Sequence, residues 1–221
     1  MNQTRLAVAA LLIAAFAFIV GTLYYKSETL QQSTTAVQDN RQALVRPHAP
    51  VFGNAQAKVT IVEFFDPACE TCRAFYPIVK DIIRSGFGEV NLVLRYAPLH
   101  QGSDIAIQIL EAARQQDLYW PVLEKVLETQ PIWADHAQPN PQRIWELLDG
   151  TGLDMARARA AMNDVAIRQA LEQDVADMVT LKVTKTPSFF VNGTPLSRFG
   201  VEELRTLVSE ELRRAKAQSP K

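Results

Sequence analysis

The sequence predicts an α/β protein in which a strand–helix–strand unit is followed by a block of helices and closed by a hairpin and a last helix. Three observations carry this. Two apolar runs, Val59–Phe65 and Val90–Tyr96, flank a helical pattern that opens at Cys69. From Ser103 to Leu181 the apolar residues recur at helical spacing with no convincing strand. Asn192-Gly193 then lies between two short strand-like runs, a strong signal for a two-residue hairpin.

The first unit organises the rest. Val59–Phe65 is almost wholly apolar, as for a strand covered on both faces, with Glu63 as its one charge. A carboxylate buried there without a partner is held protonated to higher pH. The break at Asp66-Pro67-Ala68 shapes the turn into the helix. Phe75, Ile78, Val79, Ile82 and Ile83 give that helix one apolar face, and Pro77 is expected to kink it. Ser85-Gly86-Phe87-Gly88 ends it. Val90–Tyr96 follows as a parallel strand in a right-handed crossover.

The helix opens on Cys69-Glu70-Thr71-Cys72, which holds both cysteines of the 221 residues. Two cysteines at this spacing can close a small disulfide ring. At a helix start the first sulfur meets unpaired N–H groups and the positive end of the dipole, which favour a thiolate. The thiolate is the nucleophile of disulfide exchange. Cys69 is therefore the candidate attacking sulfur, expected to be accessible, and Cys72 the candidate resolving sulfur. Zinc is a poor alternative, because His48, His100 and His136 are scattered. A purely structural disulfide is also poor, because so short a loop removes little chain entropy.

In the helical block, Ile105, Ile109, Leu110 and Ala113 mark one helix and Leu118 to Leu127 a second, with Pro121 in its first turn. Pro131 to Pro141 reads as a proline-rich loop. Ile144, Leu147 and Leu148 mark a short helix stopped by Gly150 and Gly152. Asp154 caps the next, and Asn163-Asp164 starts a longer one with Leu171, Val175, Met178 and Val179 inward. His100, after Pro98-Leu99, reads as a plain loop histidine, with a place near the site as the alternative. Trp120, Trp133 and Trp145 read as packing residues. Val201, Leu204, Leu207, Val208 and Leu212 form the closing helix, with a frayed end.

Hydrophobic residues make up 48% of the chain and the net charge is −1, so a core is affordable and no basic signal for nucleic acid exists. Residues 6–25 carry no charge, and as a helix would span roughly 30 Å, one hydrocarbon core. A cleaved signal peptide at Ala15-Phe16-Ala17 is the alternative. The apolar run continues past that site, so an uncleaved anchor is the reading. Arg5 and the free amine put residues 1–5 in the cytoplasm and the domain outside. Residues 26–50 read as a tether that is mostly unstructured, with a short amphipathic helix as an alternative within it, and 51–215 as the domain, with its helical insertion at about 101–182.

The motifs VEFFDPACETCRAFYP, RYAPLH and TKTPSFFVNG, in that order, resemble the DsbA-like branch of the thioredoxin superfamily over roughly residues 51 to 212. The resemblance implies a thioredoxin fold, a mixed sheet flanked by helices with a helical insertion. Glu63 matches the family's acidic position and would accept the Cys72 proton. Thr186-Pro187 matches the family's cis-proline segment and would hold substrate backbone beside Cys69. Thr186 and Glu70-Thr71 depart from the commonest oxidase pattern, so Cys69 is expected to titrate below the ordinary thiol but well above the lowest known. The implied protein is a thiol–disulfide oxidoreductase with a Cys69–Cys72 redox disulfide and no metal or organic cofactor. It acts on protein cysteines from the periplasmic or extracytoplasmic side of the inner membrane, as a monomer. Its redox partner is a membrane protein of the DsbB or DsbD kind. Oxidase is the first reading; reductase or isomerase is the second, and a non-enzymatic binding module the third.

Overall fold

The computed structural model describes residues 16, 18–21 and 41–218. Residues 16 and 18–21 are helical. Most of the expected anchor (6–25), the tail (1–5) and the first part of the tether lie outside the described residues. Among the described residues no helix is long and apolar enough to cross a membrane.

Residues 41–218 form a five-stranded mixed sheet with helices around it. The elements in order are α1 (Arg41–Leu44), β1 (Val51–Gly53), β2 (Val59–Phe65), α2 (Glu70–Ser85), β3 (Val90–Tyr96), α3 (Ser103–Arg114), α4 (Tyr119–Glu128) and α5 (Gln130–Trp133). They continue with a 3-10 turn (Pro141–Arg143), α6 (Ile144–Leu147), α7 (Met155–Ala161), α8 (Val165–Thr180), β4 (Ser188–Val191), β5 (Thr194–Pro195) and α9 (Val201–Gln218). The strand order is β1-β3-β2-β4-β5. β2 and β3 are parallel, from Val59 opposite Val90 to Phe65 opposite Tyr96, as the strand–helix–strand pattern requires. β4 adds antiparallel to β2, and the hairpin to β5 turns on Asn192 and Gly193, both at positive φ. β1 pairs antiparallel with β3; nothing in its three residues announced it.

Alternation along the strands sends side chains to two different layers. Ile61, Glu63 and Phe65, with Leu92, Leu94 and Tyr96, face the main core, where Val79 and Ile82 of α2, Val208 of α9 and the insertion helices pack. α2 runs on through Pro77 to Ser85. The insertion is helical as expected, built on α3, whose Ala106, Ile107, Ile109 and Leu110 are fully buried. Asp154 and Asp164 cap α7 and α8 by accepting from the N–H of Arg157 and Ala166. Pro131 to Pro141 is not the expected loop throughout: Gln130–Trp133 is a helical turn whose Trp133 is fully buried and donates to the Val126 carbonyl at 2.9 Å. α9 stays helical to Gln218, past the frayed end expected.

The other face of the sheet holds the largest departures from the sequence reading. Arg95, fully buried in β3, reaches Asp174 at 2.7 Å and Asp177 at 2.6 Å on α8. The inward face of α8 is therefore Ile167, Ala170, Asp174 and Asp177. Leu171, Val175 and Met178 are only partly buried and Val179 is 66% exposed, contrary to expectation. A buried guanidinium needs paired carboxylates, and that demand outweighs the burial of a few aliphatic groups. The tether also ends earlier than residue 50. Ala43, Leu44, Ala49 and Pro50 are buried, the carbonyls of Ala43 and Leu44 accept from Arg95, and Arg46 and His48 bond Asp177 and Asp174. Residues 41–50 are thus part of the domain.

Candidate active site

β2 delivers Glu63 and the turn; α2 delivers both cysteines; β4 delivers Thr186 and Pro187 at its N-terminal end. Cys69 is the N-cap of α2, in extended conformation, and its side chain makes no capping bond. Its thiol donates to the Thr186 carbonyl at 3.4 Å, and the Thr186–Pro187 peptide is cis. The structure therefore brings together Cys69, Cys72, Thr186 and Pro187, which the sequence separates by 117 residues between Cys69 and Thr186. Both sulfurs are unbonded, the dithiol form.

Burial separates the two sulfurs. Cys69 keeps 5% of its surface and Cys72 none. The expectation of an accessible Cys69 is corrected: the residue is buried in the dithiol form. The Cys69 thiol is lowered to about 5. The chief cause is a hydrogen bond from the Cys72 thiol, opposed by burial. Thr186 and the N–H groups of Cys72 and Thr71 at the helix start add to the lowering. The Thr186 hydroxyl, buried and without a partner among the described residues in the dithiol form, is free to turn to that charge. The result lies in the window expected from the sequence, and Glu70 is not among its leading causes. Glu70 instead points outward to His136, at 3.5 Å. Cys72 is pushed well up by burial, then by Cys69 and Glu63.

Glu63 is 1% exposed and its carboxyl has no hydrogen-bond partner among the described residues. Burial, then the charge on Cys69, raises it to about 8, so it is protonated at neutral pH. Its effect on Cys72 shows that the two groups share one electrostatic environment. It can hold or release a proton as Cys72 changes state.

Three supports went unseen in the sequence. Asp66, fully buried, accepts from the N–H of Ala68 (2.8 Å), Leu99 (2.8 Å) and His100 (3.0 Å), from the His100 ring (2.7 Å) and from the Ser103 hydroxyl. His100 is therefore a brace, not a plain loop histidine. The Asp66 N–H also faces the Cys72 sulfur at 3.5 Å. Gln130 donates to the carbonyls of Pro67 and Cys69. A polar residue at the head of a proline-containing stretch is too common to have signalled this. Asp66 beside Pro67 was a signal of a turn only.

A mixed sheet carrying a helix-start Cys-x-x-Cys against a cis-proline, with helices inserted between the two, has the fold of DsbA-type thiol–disulfide oxidoreductases. The chain belongs to the thioredoxin family, whose model matches residues 46–210. It is 26% identical over 184 residues to disulfide bond formation protein D of Bacillus subtilis, covering 74% of this chain and 77% of that protein. It is 31% identical over 207 residues to the Na(+)/H(+) antiporter NhaA of Herminiimonas arsenicoxydans, covering 91% of this chain but 32% of that protein. The chain thus spans about a third or less of the length of the antiporters it matches. A thioredoxin-like oxidoreductase from Silicibacter pomeroyi superposes with a TM-score of 0.68 at 28% identity, covering 81% of this chain and 99% of that one.

Proposed function

We propose that the protein is a thiol–disulfide oxidoreductase of protein cysteines and that it works as an oxidase. The observation that carries this is the Cys69 sulfur at the helix start beside Thr186-Pro187, held as a thiolate at neutral pH. A substrate thiolate attacks Cys69 in the Cys69–Cys72 disulfide. The S–S bond breaks, Cys72 leaves and takes a proton, and a mixed disulfide to Cys69 forms. A second substrate thiolate attacks the substrate sulfur of that bond and expels Cys69 as a thiolate. The substrate loses two electrons and gains a disulfide; the Cys69–Cys72 pair is reduced.

Cys69 is a good leaving group because its thiolate is stabilised, and that favours the dithiol form of the pair, which makes the disulfide oxidising. Glu63 supplies or accepts the Cys72 proton. Thr186 and Pro187 line the place where substrate backbone lies. In this reading residues 6–25 anchor the protein in the inner membrane, and residues 41–218 act outside the cytoplasm, as a monomer. A DsbB-type membrane protein removes the electrons. The relative named for disulfide bond formation supports the reaction class.

Oxidative refolding of a reduced disulfide-containing protein, together with insulin reduction, tests the reading. The expected result is activity in refolding that Cys69→Ser abolishes while the fold is kept. Equilibration with glutathione sets the direction: a potential toward roughly −120 mV fits an oxidase, and one near roughly −270 mV assigns the protein to reduction instead. No activity in either assay leaves a binding module.

A further inference from the structure

Gln130 is the first residue of α5, on the helical insertion, and is 2% exposed. Its side-chain N–H groups donate to the Pro67 carbonyl at 2.7 Å and to the Cys69 carbonyl at 3.0 Å. Its own Oε1 is buried with no partner among the described residues. The amide cannot be reversed, because its oxygen would then face two carbonyl oxygens. A buried orphan acceptor is costly, about 1–3 kcal/mol, and a group retained at that cost calls for an explanation.

We propose that Gln130 is a positioning residue of the redox site, fixing the peptide planes on both sides of the turn so that the helix-start N–H groups face the Cys69 sulfur. This rests on the reading of Cys69 as the reacting sulfur. The helix start alone does not fix that geometry, since Cys69 supplies no side-chain cap. The Cys69 carbonyl already accepts the first helical bond, from the Arg73 N–H at 3.1 Å. Gln130 takes the second lone pair of the same oxygen and thereby sets the orientation of the plane that leads to Thr71 and Cys72. By donating to two carbonyls beside the sulfur it also blunts their negative ends, which would oppose a thiolate. The side chain is presented from a firm base: Trp133 is fully buried and bonded to Val126, and the Thr129 hydroxyl donates to the Lys125 carbonyl at 2.7 Å. The insertion therefore reaches the reacting end of the molecule through one amide.

The test is thiolate titration of Cys69 by absorbance near 240 nm in the full chain, with the glutathione equilibrium as second readout. Gln130→Met keeps the volume and removes both donors; Gln130→Glu keeps the shape and turns oxygens toward the carbonyls. Both are expected to raise the Cys69 midpoint by about half a unit to one unit and to make the pair correspondingly less oxidising. Arg95→Met, which weakens the fold on the other face of the sheet, is expected to lower stability and leave the midpoint in place. Should Gln130→Met fail to fold, Gln130→Glu carries the test. Gln130 variants that titrate within about 0.2 unit of the native protein overturn the proposal, and so does Arg95→Met moving the midpoint as far as they do. The reading of Cys69 itself fails separately, when the native protein shows no thiol titrating below about 8.

Discussion

Titrating Cys69 probes the proposed chemistry most directly. Its thiol falls from an ordinary 9.0 to about 5. At pH 7 an ordinary thiol at 9.0 is about 1% ionised and Cys69 about 99%. The dithiol form is then stabilised by up to about 2.7 kcal/mol over an unperturbed pair, or about 60 mV on the two-electron scale. Cys69 sits at the surface end of its helix, so solvent screening trims that figure. The sign is that of a depressed acid. The stabilisation of the reduced protein is fully present above the unfolded thiol range and disappears as pH falls through about 5. Between about 5.5 and 7 the disulfide takes up one proton with its two electrons, so the potential falls by about 30 mV per pH unit. The assays are absorbance of the thiolate and glutathione equilibration across that range. A midpoint above about 7, or a slope near 59 mV per unit between 5.5 and 7, refutes the reasoning.

Cys72→Ala removes the hydrogen bond that contributes most to the Cys69 thiolate. Its midpoint is expected to rise by about one unit or more, and the variant to accumulate mixed disulfides visible on non-reducing gels; an unchanged midpoint contradicts the assignment. Glu63 is raised from 4.5 to about 8, so its contribution to folding is present below 4.5 and is lost as pH climbs through 8. Urea unfolding of the reduced protein at pH 5 and pH 8 should show Glu63→Gln losing less stability than wild type across that interval, by up to about 4 kcal/mol. Equal losses would mean that the carboxyl is ionised or solvated. Arg95→Met leaves Asp174 buried without its cation and is expected to cost about 3–5 kcal/mol in urea unfolding; a loss under 1 kcal/mol would show that the pair is not buried as described.

How far the chain could be read varied with the range of the interaction. The strand–helix–strand unit, the caps at Asp154 and Asp164 and the Asn192-Gly193 hairpin rest on neighbouring residues, and local pattern sufficed for them. Pairing of the Cys69 helix start with Pro187 needed the three motifs taken together. What escaped was long-range and polar. Arg95 passed unremarked in an apolar strand, and its partner Asp174 lies 79 residues away on a helix whose aliphatic residues gave an equally good face. Gln130 meets Cys69 across 61 residues, and Asp66 meets His100 across 34. Periodicity places apolar groups; it does not say which distant amide or carboxylate will satisfy a turn. The docking of residues 41–50 was missed for the same reason, since their anchors are Arg46 and His48 rather than an apolar stripe.

The clasp of Arg95, Asp174, Asp177, Arg46 and His48 has a practical bearing on where the molecule can be cut. Asp177 takes two bonds from Arg46, and its acidity is strengthened by Arg46 and Arg95 against the opposing effect of burial. A recombinant fragment begun at Val51 strips Arg46 and His48 away and uncovers an aspartate pair with a single guanidinium left to balance it. One begun at Arg41 keeps the charges matched, and for crystals or assays those ten extra residues are worth keeping.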